Sequence, residues 1–206
     1  MIPRVDYETI KHKQRIKRKQ RIAGLLTHTL SYLSLSICSF VAYADNTRIN
    51  DAVAVELLAG SDNIYGVRLA LRSYEYQLTQ IPLFDSVDIY WEVSANIWKY
   101  DGEQKHQTNY VLALSPVVRK TLYVVKDKYP LSLEAGIGLS LIKDTMIAGR
   151  DLGSHYQFED RIGLSVDYGD NLQHSQSVRY MHYSNAGVSS KNKGVDFLNI
   201  AYAYQF

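Results

Sequence analysis

Apolar and polar side chains alternate through residues 45 to 206 in segments of about ten residues, with no sustained helical period and no long apolar run. Eight such segments fall near 51–59, 64–73, 86–99, 107–118, 129–142, 154–168, 173–184 and 195–206. Turn residues separate them, among them Asp62-Asn63, Asp101-Gly102, Lys126-Asp127, Gly149 to Gly153 and Gly169-Asp170-Asn171. The chain has four prolines and none after Pro130, so the later segments can form uninterrupted ladders. The pattern predicts an all-β chain, an antiparallel meander of eight strands.

Alternation alone does not say which face is inside, and the last segment decides it. Leu198, Ile200, Tyr202, Tyr204 and Phe206 share one face, whereas Asn199, Ala201, Ala203 and Gln205 share the other. A closing strand that ends on an aromatic residue, with apolar residues at every second position before it, is the pattern of a lipid-facing strand in an outer-membrane barrel. The opposite parity is polar in several segments: Arg68 and Arg72; Glu92, Ser94 and Asn96; Ser132, Glu134 and Ser140; Glu159, Arg161, Ser165 and Asp167. A soluble ligand-binding barrel has an apolar interior, so these residues argue for a transmembrane β-barrel with a charged, filled lumen. The 17 tyrosines suit the two girdles where hydrocarbon meets headgroup. In a closed barrel with an even strand count both termini lie on the periplasmic side, which puts the 185–194 connection outside.

The N-terminus gives the route to that membrane. Residues 1–21 hold eight Lys and Arg against two acids, residues 22–41 are mostly apolar or small, and Ala42-Tyr43-Ala44 precedes polar Asp45-Asn46-Thr47. This reads as a signal peptide over 1–44, cleaved after Ala44, followed by the barrel over 45–206. The long basic start leaves an uncleaved anchor as the competing reading. Removing the leader changes the charge. The whole chain carries +2, but residues 45–206 hold 15 basic and 19 acidic side chains, a net of −4. Nucleic-acid binding thereby loses its main support. The single cysteine, Cys38, falls in the leader, so the mature chain is expected to have no disulfide and no cysteine metal site. His106, His155 and His174 lie near strand ends without partners at ligand spacing, and no metal or cofactor is expected.

One constellation carries chemistry. Segment 178–185 reads VRYMHYSN, and a loop containing Gly187, Asn192 and Gly194 leads into Val195-Asp196 and the last strand. His182 and Ser184 share the parity of Val178 and Tyr180, and Asp196 shares that of Leu198 and Ile200, so all three face lipid near the outer rim. A polar side chain there costs about 0–1 kcal/mol, against a few kcal/mol at the midplane. The i, i+2 spacing sets the Cα atoms of His182 and Ser184 about 6.5–7 Å apart on one face, close enough for an imidazole to accept a serine proton. Asp196 on the neighbouring strand is placed to hold the other ring nitrogen. Amides around Asn185, Gly187 and Asn192 are candidate oxyanion donors, and Lys191 and Lys193 are candidate contacts for a substrate phosphate.

His182-Tyr183-Ser184-Asn185-Ala186-Gly187, then Asn192-Lys193-Gly194-Val195-Asp196 and a terminal aromatic strand, resembles the C-terminal signature of the lipid A 3-O-deacylases, eight-stranded outer-membrane esterases of Gram-negative bacteria. The detailed resemblance covers about 30 residues. It implies hydrolysis of the ester-linked acyl chain at the 3-position of lipid A in the external leaflet, with Ser184 as nucleophile, His182 as general base and no metal. The family pattern has Glu where this chain has Asp196, the same charge on a shorter arm. The implied partners are lipopolysaccharide and the outer membrane, and pairing of two barrels into a homodimer is left open. The competing classes are a non-enzymatic small barrel used for adhesion or envelope integrity, and an inactive relative that binds lipopolysaccharide. Short external connections, near 60–64, 100–106, 143–153 and 185–194, argue against adhesion.

Overall fold

The computed structural model describes residues 47–48, 51–81, 84–102 and 108–206. The expected leader, with Cys38 and the cleavage point, and His106 lie outside the described residues. Each alternating segment is a strand: β1 Ala52–Gly60, β2 Ile64–Ile81, β3 Asp85–Tyr100, β4 Thr108–Val125, β5 Tyr129–Ile142, β6 Tyr156–Tyr168, β7 His174–Ser184 and β8 Val195–Gln205. Neighbours in sequence pair antiparallel, and β8 pairs with β1 through Leu198 opposite Ala59 and Tyr204 opposite Val53. The sheet therefore closes into an eight-stranded barrel with no free edge. The tight turns at 126–128 and 169–173 lie at the end that carries the start of β1 and the finish of β8. The connections 61–63, 143–155 and 185–194 lie at the other end, here called the loop end.

Two strands run past their expected limits. β2 reaches Ile81 and β4 reaches Val125, where alternation alone predicted 73 and 118. Register shifts between Ser73 and Tyr76 and between Thr121 and Tyr123 explain this, because a bulge moves following side chains to the other face and breaks the visible period. At 143–155 the expected loop contains a small hairpin of Met146–Ile147 against Arg150–Asp151. Asp62 and Asn63 both adopt positive φ, 56° and 57°, as the central pair of the turn that the Ile64 N–H closes on the Ser61 carbonyl between β1 and β2.

The outer wall is apolar, with Val55, Leu57, Leu69, Leu71, Leu139 and Ile200 all exposed, as a hydrocarbon-facing surface requires. Inside, Glu56, Glu92, Glu134 and Glu159 meet Arg68, Arg72, Arg161 and Arg179, four acids against four bases. Arg68 alone donates to Glu56 at 2.9 Å, Glu92 at 2.6 Å and Glu159 at 3.1 Å. Replacing Arg68 with Met leaves three carboxylates short of a partner. We expect a loss of about 3–5 kcal/mol, measured by urea unfolding from lipid vesicles. A loss under about 1 kcal/mol would mean the remaining arginines re-pair these acids without penalty.

Toward the loop end the lumen turns apolar. Trp98 packs its ring 4.7 Å from Tyr183 and 4.9 Å from Phe197, with Ile147 and Leu152 from the 143–155 connection buried in the same cluster. Met181 and Tyr183 are fully buried, and the Tyr183 hydroxyl donates to Glu159 at 2.7 Å. These inward anchors lock the end of β7. By strand alternation they turn His182 and Ser184 outward.

Candidate active site

On the outer wall near the loop end, β7 presents Tyr180, His182 and Ser184, and β8 presents Asp196. His182 and Asp196 are direct cross-strand partners in the hairpin register. His182 Nδ1 lies 2.6 Å from Asp196 Oδ1. A carboxylate only accepts, so Nδ1 carries the proton, which leaves the Nε2 lone pair as the acceptor a general base needs. The Tyr180 hydroxyl donates to the same carboxylate oxygen at 2.5 Å. Asp196 thus receives two donors, both presented by β7. The side chains of His182 and Asp196 are about one-third exposed, at 34% and 39%, on a surface that lipid covers. Ser184 shares their face two residues on, but the structure does not close a hydrogen bond between its hydroxyl and His182.

The loop residues divide by role. Asn185 is buried, and its side-chain amide donates to the carbonyls of Leu152 and Lys191, each at 2.8 Å. Its oxygen accepts the Gly187 N–H at 2.9 Å, and its own N–H donates to Asn192 Oδ1 at 3.0 Å. The peptide amides of Asn185 and Gly187 are therefore engaged in holding the loop, whereas Asn192 is exposed and keeps its NH2 for another acceptor. Lys191 pairs with Asp151 at 2.7 Å. The Lys191 ammonium and the Gly153 N–H hold the Asp151 carboxyl below the usual carboxylate range. Lys193 is exposed near the β8 end of the loop.

Sequence reasoning missed three neighbours. Asp160 on β6 is the other cross-strand partner of His182 and is half-buried on the same outer face. Its signal was present: an acid with the lipid-facing parity of Ile162 and Leu164. Tyr180 was read only as an aromatic on that face. Gly194, at φ +56°, backs the imidazole so closely that a Cβ there would sit 2.8 Å from His182 Cε1.

A closed eight-stranded barrel with an apolar outer wall, a charge-filled interior and a histidine–aspartate pair beside a serine on that wall defines an outer-membrane β-barrel with a hydrolase-like cluster. The family model for lipid A 3-O-deacylase (PagL) matches residues 65–205, and the chain belongs to that family. It is 33% identical over 122 residues to lipid A deacylase PagL of Bordetella bronchiseptica, covering 58% of this chain and 64% of that protein. Against lipid A deacylase PagL of Pseudomonas aeruginosa it is 32% identical over 115 residues, covering 55% and 62%. The match thus spans just under two thirds of the length of these relatives. The crystal structure of the outer membrane enzyme PagL superposes with a TM-score of 0.62 and 25% identity, covering 74% of this chain and 98% of that one.

Proposed function

We propose that this protein is an outer-membrane esterase that hydrolyses the ester-linked acyl chain at the 3-position of lipid A, working from the external leaflet by a Ser-His-acid mechanism. Ser184 Oγ attacks the ester carbonyl while His182 Nε2 takes its proton, and the same nitrogen returns that proton to the departing sugar oxygen. Water then cleaves the acyl-serine by the same route, so each cycle consumes one water and yields a fatty acid and a free 3-hydroxyl. Asp196 fixes the imidazole tautomer and opposes the positive charge the ring acquires. The Asn192 side-chain amide is the favoured oxyanion donor, since its orientation is set by the bond it accepts from Asn185. Asn185 and Gly187 then serve by shaping the loop, and Lys193 is the cation best placed for a lipid A phosphate because Lys191 is tied to Asp151.

The observation that carries this reading is the 2.6 Å contact of His182 with Asp196 on a wall that otherwise meets hydrocarbon. A hydrogen-bonded imidazole and carboxylate on that surface need a reason, and an ester at the headgroup boundary supplies one. The family membership and the names of the relatives point to the same substrate. Mass spectrometry of lipid A from cells with and without the protein tests it. The expected change is loss of one 3-hydroxyacyl group when the protein is present, and identical lipid A in both would overturn the proposal.

A further inference from the structure

Arg150 lies outside the cluster described above, yet two of the segments that fix Asp196 meet on its guanidinium. It sits in the small hairpin between β5 and β6, with its side chain 22% exposed. Its Nε donates to Asp62 Oδ2 at 2.5 Å, and its Nη1 donates to the Gly194 carbonyl at 2.9 Å. Each contact leads to the backbone of Asp196. Gly194 is two residues before it, at the entry to β8, and its backbone also forms the wall against His182 Cε1. Asp62 follows Ser61, whose N–H donates to the Asp196 carbonyl at 3.2 Å. The aspartate is therefore bracketed: one arm of the guanidinium holds the chain leading into it, and the other holds the turn bonded to its carbonyl.

We propose that Arg150 is a positioning residue of the hydrolytic site, setting the backbone of Asp196 and the position of Gly194 so that carboxylate and imidazole meet in line. The planar fork of a guanidinium serves here because it addresses two acceptors at fixed angles, a carboxylate on one side and a carbonyl on the other. An ammonium at the same place donates from a single point and lacks the fixed angles of the fork. A displacement of Gly194 by an ångström moves the imidazole wall and the start of β8 together. Misplacement of that size at a catalytic group costs about 10²-fold in rate. Arg150 touches no reacting atom in this scheme, and the inference rests on the reading of Ser184, His182 and Asp196 as the machinery.

The test compares Arg150→Ala, Arg150→Lys and Asp151→Asn in purified barrels in detergent micelles. Asp151→Asn is the control for general loosening, since it cuts the tie from the same hairpin to Lys191 without touching Gly194 or Asp62. Two readouts are taken: kcat and KM on lipid A, and the far-downfield proton resonance of His182 Nδ1–H in histidine-labelled protein, which reports the bond to Asp196 without turnover. Arg150→Ala is expected to lower kcat about 10- to 100-fold with KM within about twofold, and to abolish the resonance. Arg150→Lys recovers part of both, and Asp151→Asn keeps the resonance and loses less than about twofold in kcat. Retention of the resonance and of kcat in Arg150→Ala would overturn the proposal, as would equal losses in Arg150→Ala and Asp151→Asn. If Ser184→Ala retained full turnover, the assignment of the serine would fall, while the resonance would still decide the role of Arg150.

Discussion

Replacing Ser184 with alanine is expected to leave the barrel folded and to reduce release of 3-hydroxy fatty acid by about 10⁴-fold or more. The two halves of that result have separate causes. Ser184 is partly exposed on the outer wall at the last position of β7, and the lock on that strand comes from Met181 and Tyr183, whose side chains point the other way. Removing one hydroxyl there opens no cavity and strands no buried partner, so stability should stay within about 0.5 kcal/mol. The chemistry, in contrast, has no substitute. His182 has no thiol or second serine on its own face within reach along β7, where Val178 and Tyr180 precede it. Whatever rate remains comes from oxyanion stabilisation and binding alone. Strand circular dichroism and the urea midpoint check the fold, and mass spectrometry of released acid checks the rate. Unchanged release from a folded variant would remove the serine from its role.

The barrel was legible because closure in a membrane imposes one rule on every strand. Parity assigned Arg68, Glu92, Glu134, Glu159 and Arg161 to the interior, and all are buried there. Parity also assigned Leu198, Ile200 and Tyr202 to lipid, and all are exposed. It failed where a bulge resets the count, at 74–81 and 119–125. The site divides in the same way. His182 and Asp196 share one hairpin, so their register follows from a single loop and was within reach of sequence arithmetic. Asp160 meets His182 across a different turn, at 169–173, and nothing in the local spelling gives that register. The pairing of Lys191 with Asp151 and the grip of Arg150 on Gly194 join residues 40 and 44 positions apart, through loops with no period to read. Asn185 looked like an oxyanion donor because a loop asparagine offers amides. Only the structure shows that a buried asparagine bonded to two carbonyls is organising the loop.

Asp196→Asn is expected to lower kcat by about 10²- to 10⁴-fold with little change in KM, and comparison with Asp160→Asn makes the result diagnostic. The carboxylate accepts from His182 Nδ1 and from the Tyr180 hydroxyl at a single oxygen. Asparagine has one oxygen that can still accept both donors, so the ring need not move far. What it lacks is the negative charge. In the transition state of the proposed mechanism His182 becomes an imidazolium on a wall where lipid replaces water, and in so poorly screened a place the opposing charge matters more than in solvent. Should the amide turn its NH2 toward the ring, the imidazole must accept at Nδ1 and carry its proton on Nε2, which removes the base altogether. Either outcome spares substrate binding and lowers kcat. Asp160 is the other cross-strand neighbour of His182, but no hydrogen bond joins them, so Asp160→Asn should cost about tenfold or less. If instead Asp160→Asn silenced the enzyme and Asp196→Asn did not, the acid would belong to β6. The hairpin register of β7 and β8 would then describe a structural contact only.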